Sequence, residues 1–229
     1  MGSMKVYQTA ILAAALSMSV APASAARLTG VAEVIDGDTL KIGVTTVRLS
    51  GIDAPEAGQA CERATGRPWR CDEAATGLLE ELVTGQVTEC EVEDADQYGR
   101  MISTCYADGV NLNEALVDAG LAWAFIRYSN TFAVSEQAAR KAGLGIWREG
   151  SEPTAPWVYR ANRWERAAAS SPRPGCPIKG NINSKGERIY HTPWSPWYAR
   201  TKINTEKGER YFCDEAEAVS AGWRAARSR

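Results

Sequence analysis

The chain has 229 residues, 45% of them hydrophobic and 24% charged, with a formal net charge of −2. Those values exclude a wholly disordered chain and fit one domain with an appendage, or two small domains. The charge is unevenly spread: residues 26–170 hold 14 Lys/Arg against 22 Asp/Glu, whereas residues 171–229 hold 11 against 6. The body is therefore acidic and the tail basic. Two readings of the tail stay open, one in which it helps to hold a polyanion and one in which it is only a soluble basic module.

Taken in chain order, residues 1–25 come first. Lys5 precedes an apolar run from Thr9 to Val20, and Ala23-Ser24-Ala25 supplies a small-x-small cleavage pattern. This reads as a secretory signal peptide, with the mature chain starting at Ala26 and holding no membrane segment. A membrane anchor is the competing reading, and the run is short against the roughly 20 residues that span a bilayer.

Arg27 to Asp36, Thr39 to Gly43 and Thr46 to Gly51 are alternating or β-branched runs separated by turn signals, so they predict a three-stranded meander. Within and just after it lie Asp38, Arg48, Asp53 and Glu56. Hydrolysis of a phosphodiester needs a hard cation, a group that orients or deprotonates water, and fixed positive charge against the transition state. Three carboxylates and an arginine at this spacing can provide them, with Arg100 in Gln97-Tyr98-Gly99-Arg100 as a second fixed charge. Taken singly, each has an ordinary competitor: Asp-Gly-Asp as a turn, Asp53 to Glu56 as a solvated loop, Arg48 as a surface arginine.

Cys71 to Val83 predicts a helix with Ala74, Ala75, Leu78, Leu79 and Leu82 on one face. Val87 to Val92 and Met101 to Tyr106 predict a hairpin, Asn111 to Ala119 and Ser135 to Ala142 two short helices, and Trp157 to Ala169 a further one. Short strands with helices inserted between and after them indicate a small closed barrel of the α+β kind rather than alternating βαβ units. Ser170 to Gly175 is a breaker-rich linker, and residues 176–229 suggest short strands followed by one helix. Their aromatic residues suit either stacking on single-stranded nucleic acid or the core of a small module.

Six cysteines in an exported chain point to disulfides. Cys90 and Cys105 face each other across the predicted hairpin, Cys61 and Cys71 bracket a loop, and Cys176 and Cys213 bracket the C-terminal segment. Three local bridges are expected on this basis. Zinc held by Cys176, His191 and Cys213 competes for the last pair, although a fourth ligand at zinc-like spacing is missing.

The string Asp36-Gly37-Asp38-Thr39, Val47-Arg48-Leu49, Gly51-Ile52-Asp53-Ala54-Pro55-Glu56, Asp96-Gln97-Tyr98-Gly99-Arg100, Ala107-Asp108-Gly109, Asn113-Glu114-Ala115-Leu116-Val117, Gly120-Leu121-Ala122 and Ile146-Trp147 resembles the staphylococcal nuclease (thermonuclease) family over residues 27–150. The resemblance implies a five-stranded OB-fold barrel with three helices, followed here by the small C-terminal module. It implies an enzyme that cuts DNA, RNA or both with calcium; with the leader read above, the chain is expected to be exported, periplasmic or extracellular, and a monomer. Residue by residue, it makes Asp38 and Asp53 calcium ligands through their carboxylates and Ala54 through its carbonyl. It gives Asp36 and Thr39 supporting roles beside the metal. Glu56 becomes the residue that activates or orients water, and Arg48 and Arg100 the grips on the phosphate. Ala54 stands where the staphylococcal enzyme has threonine, which leaves a carbonyl ligand unaffected. Ile126 stands where the family has an aromatic at the nucleotide, and Tyr128 keeps the second aromatic position. The alternative is a non-catalytic OB module that binds nucleic acid or protein.

Overall fold

A computed structural model describes residues 1–2, 26–63, 66–150 and 153–226. The signal-peptide expectation for 1–25 falls almost wholly outside them. No helix among the described residues is long and apolar enough to cross a membrane.

The N-terminal strands are β1 (Arg27–Gly30), β2 (Ala32–Asp36), β3 (Thr39–Ile42), β4 (Thr45–Leu49) and the short β5 (Ile52–Asp53). Helix α1 (Cys71–Val83) follows, then the hairpin of β6 (Thr88–Ala95) and β7 (Met101–Ala107) and the short β8 (Val110–Asn111). Helix α2 (Leu112–Asp118), β9 (Trp123–Ala124), α3 (Ala133–Lys141) and a 3-10 turn at Gly145–Gly150 complete this part. The sheet runs β1-β6-β7-β4-β3-β2 with β8 beside β7, while β5 pairs separately with β9. Its two edges, β1 and β2, are consecutive in the chain and joined at Val31. The sheet therefore curls until its edge strands are continuous. The single strand expected at 27–36 is two, because one half pairs with β6 and the other with β3.

Inward residues follow the strand period. In β4, Val47 and Leu49 are buried, each burial contributing about 1.5–3 kcal/mol. Period-two alternation then turns Arg48 to the other face. In α1 the buried line is Cys71, Ala75, Leu79 and Val83, with Leu78 and Leu82 packed at its margin. Asp72 and Glu73 in its first turn suit the positive end of the helix dipole.

Two close approaches require glycine. A Cβ on Gly37 would lie 2.8 Å from Ala54 Cβ and 2.9 Å from Ala75 Cβ, so the β2–β3 turn sits directly on α1 and on the loop after β5. Gly120 and Gly145 both have positive φ and nearly touch through their backbones, and Ile146 N–H donates to Gly120 O (2.8 Å). That contact folds the segment after α3 back under α2.

Buried Asn113 ties three segments together. Its Nδ2 donates to Ser50 O (2.8 Å) and Ser103 O (3.2 Å), and its Oδ1 accepts from Cys105 N–H (3.0 Å). Replacing Asn113 by Ala should destabilise the fold by roughly 2–4 kcal/mol, since several buried backbone groups lose their partner. Urea unfolding with an unchanged midpoint would contradict this.

Helix α4 (Pro156–Ala169) leads to a second sheet, ordered β12-β10-β11-β13 from β10 (Ile178–Ile182), β11 (Arg188–His191), β12 (Arg210–Phe212) and β13 (Arg224–Ala225), with α5 (Glu215–Ser220) beside it. Its core is Ile178, Tyr190, Phe212, Ala218 and Trp223, with Trp164 of α4 packed against it. These tail aromatics are therefore core side chains rather than a free stacking surface.

Cys61–Cys71, Cys90–Cys105 and Cys176–Cys213 are disulfides, and no described cysteine is free. The zinc alternative is overturned. Both sulfurs it needs are bonded to each other, and His191 Nε2 instead meets Asn181 Oδ1 (2.8 Å).

Candidate active site

The β2–β3 turn, the outward face of β4, and β5 with the loop after it converge on one cluster. Arg48 is paired across the strands with Thr39, next to Asp38. Its Nη1 donates to Asp38 Oδ1 (2.9 Å) and its Nη2 to Asp53 Oδ1 (2.8 Å), so one guanidinium bridges both aspartates. Asp38 is held further by Thr39 Oγ1–H (3.0 Å) on Oδ1 and by the N–H of Ala54 (3.0 Å) on Oδ2. Asp36 Oδ1 accepts the N–H of Asp38 (3.2 Å), which closes the turn. Asp53 is fully buried.

Glu56 stands beside them. Its N–H donates to Gln59 Oε1 (3.0 Å), and Gln59 Nε2 donates to Thr154 O (2.7 Å), so one buried glutamine fixes both the Glu56 loop and the segment entering α4. From α4, Arg160 donates to Asp53 Oδ1 (3.0 Å) through Nη1 and to Asp53 Oδ2 (2.7 Å) through Nη2, and Nη1 also reaches Glu56 Oε1. Sequence reasoning missed Arg160. The available signal was its place between Trp157 and Trp164 at helical spacing, an arginine within an aromatic face.

Four carboxylates thus surround two arginines, and charge is left uncompensated. Burial, countered in part by Arg160, pushes Glu56 up to about 7. Burial and the neighbouring Asp38 push Asp36 up to about 6. Asp38 is different. Burial opposes its charged form, but Arg48 and the Ala54 N–H outweigh that and hold it below the usual carboxylate range. Burial likewise works against the Arg48 charge, and Asp38, Asp53 and Glu56 more than restore it.

The other expected residues lie at the margin. Arg100 is turned to Asp96 Oδ2 (2.7 Å) and lies over the Tyr98 ring, and its charge helps to hold Asp38 ionised. Tyr128 is exposed and contacts Phe125, which stacks on Trp157 of α4 (centroids 5.4 Å apart, 16° between planes). Ile126, which offers no ring, is exposed as well.

All the oxygens in the cluster are hard donors, and the excess of negative charge suits a divalent cation in kind and number. As they stand they face guanidinium groups, and no group of three or more His, Cys, Asp or Glu among the described residues is arranged to hold a metal.

A family model described as staphylococcal nuclease homologue matches residues 46–149, which include Arg48, Asp53, Glu56 and Arg100. The chain is also 31% identical over 182 residues to a micrococcal nuclease of Shigella flexneri, covering 71% of this chain and 94% of the relative. The chain belongs to the staphylococcal nuclease family. It is similarly 36% identical over 167 residues to the succinoglycan biosynthesis protein ExoI of Rhizobium meliloti (strain 1021), covering 71% of this chain and 87% of that one. An uncharacterized endonuclease of Escherichia coli O157:H7 is 34% identical over 137 residues, 57% of this chain and 82% of the relative. A second family model, ArfC, matches residues 151–225, so Arg160 and Trp157 lie beyond the stretch matched by the nuclease family model. Within the staphylococcal nuclease family match, Arg48, Asp53 and Glu56 are the residues the structure brings together with Asp38.

Proposed function

We propose that the chain is an exported nuclease that hydrolyses phosphodiester bonds of DNA and RNA with calcium and with little regard to the sugar. The observation that carries this reading is the Arg48 guanidinium bridging Asp38 and Asp53 with Glu56 beside it, in a chain related to proteins named nuclease and endonuclease. The three disulfides and the apolar leader at 1–25 support export to an oxidising compartment. Read with β1 and β2 as one bent strand and the two-residue β8 set aside, the curled sheet corresponds to a five-stranded OB barrel spanning 26–169 together with its helices, with 170–175 as linker and 176–229 as an appended module.

In this reading Asp38, Asp53 and the Ala54 carbonyl hold the calcium, with Asp36 and Thr39 fixing the turn that carries Asp38. Bound calcium supplies a Lewis acid against the charge of the scissile phosphate. Glu56, poised near neutrality, accepts a proton from the attacking water or orients it for in-line attack on phosphorus. Arg48 offers a planar fork that matches two phosphate oxygens. Arg100 brings a second guanidinium once it turns from Asp96. Tyr128, with Phe125 and Trp157 behind it, offers rings to an adjacent base.

Labelled single-stranded DNA and RNA of one sequence test the proposal. Fragments of both are expected with calcium and neither with a chelator. Intact strands in calcium would leave only the binding-module reading.

A further inference from the structure

Arg160 lies beyond the residues matched by the nuclease family model, yet it takes both carboxylate oxygens of Asp53 and one of Glu56. The contact is built rather than incidental. Asp53 is fully buried, and the Arg160 side chain is only 22% exposed. Helix α4 is also fixed on both sides of the arginine. Toward the nuclease site, Trp157 stacks on Phe125 and meets Trp123 (6.4 Å), and Thr154 O accepts from Gln59. Toward the second sheet, Trp164 packs on the core of Ile178, Tyr190 and Phe212 and lies near Trp194.

A bidentate guanidinium competes with a divalent cation for these oxygens. The paired fork takes one lone pair on each Asp53 oxygen, Arg48 takes a second on Oδ1, and two cations brought to one carboxylate repel each other. We propose that Arg160 is a tethered counter-cation of this site, which holds Asp53 and Glu56 in the metal-free protein and must leave them before a divalent cation binds. The inference rests on the metal-dependent reading given above. Its consequence is that α4 sets the metal affinity: the apparent affinity is the intrinsic one multiplied by the fraction of molecules in which Arg160 has let go.

Calorimetric titration of the full chain with calcium, in the absence of nucleic acid, tests this on the unaltered protein, Arg160→Gln and Arg160→Lys. Arg160→Gln should bind calcium about tenfold or more tightly, as expected when a competitor paired in at least nine-tenths of molecules is removed. Arg160→Lys, which keeps the charge and loses the fork, should fall between. The metal-free Arg160→Gln protein should also melt lower, and calcium should raise its Tm more than it raises that of the unaltered protein. Equal or weaker calcium binding by a folded Arg160→Gln overturns the proposal while leaving the metal-dependent reading intact, including the case where cleavage alone falls and Arg160 merely grips phosphate. Calcium binding by neither protein overturns both. Amide exchange on the unaltered protein keeps the test available if the variants misfold. Calcium should speed exchange within residues 156–169, and unchanged or slower exchange there counts against Arg160 as a competitor.

Discussion

Replacing Arg48 by Ala should reduce phosphodiester cleavage by roughly 10³-fold, the scale on which an arginine that meets transition-state charge acts in phosphoryl transfer. The same change should destabilise the protein by about 3–5 kcal/mol, because it removes one member of a buried ion pair and leaves the others uncompensated. Both effects trace to one geometry, the Nη1 and Nη2 contacts to Asp38 and Asp53 at 2.9 and 2.8 Å. They can be separated. Arg48→Lys restores the charge and most of the stability but cannot bridge two aspartates or match two phosphate oxygens, so its turnover should stay low. Urea unfolding and initial rates on single-stranded DNA, measured on the same preparations, check the two halves. An Arg48→Lys protein as active as the unaltered one would mean that charge alone suffices there.

Replacing Asp53 by Asn should weaken calcium binding on the order of 10²-fold, since affinity in oxygen-ligand sites follows the count of charged ligands. Asn keeps the shape of a side chain that has no solvent exposure. It removes the charge that Arg48 and Arg160 share. Cleavage at limiting calcium should fall accordingly and partly recover as calcium is raised. A calcium titration indistinguishable from that of the unaltered protein would remove Asp53 from the ligand set.

Much of this site was legible in the sequence because local chemistry and family pattern agree there. The β4 alternation of Val47, Arg48 and Leu49 fixes which way Arg48 faces, and the Gly37 turn can only be glycine where it rests on Ala54 and Ala75. The cysteine pairs were legible for the same reason: Cys90 and Cys105 are opposite each other in register, and the other two pairs are neighbours in the local fold. What the sequence hid depends on long-range placement. Arg160 is 107 residues from Asp53, and although its helical spacing from Trp157 and Trp164 marks one face of α4, nothing local says what that face meets. The same holds for Trp157 over Phe125, and for the break at Val31, which arises because β1 and β2 pair with strands far apart in the chain. Arg100 shows the converse. Its position in the pattern is clear, while its side chain is committed to Asp96.

In the proposed nuclease, Glu56 acts on water at a site that Arg48 and the aspartates build. Turnover of single-stranded DNA by Glu56→Gln at saturating calcium tests that most directly, with calcium affinity measured alongside. A rate lower by about 10²–10⁴-fold is expected, the range of a positioned acid or base, with calcium binding retained. A Glu56→Gln protein that cuts as fast as the unaltered one would contradict it.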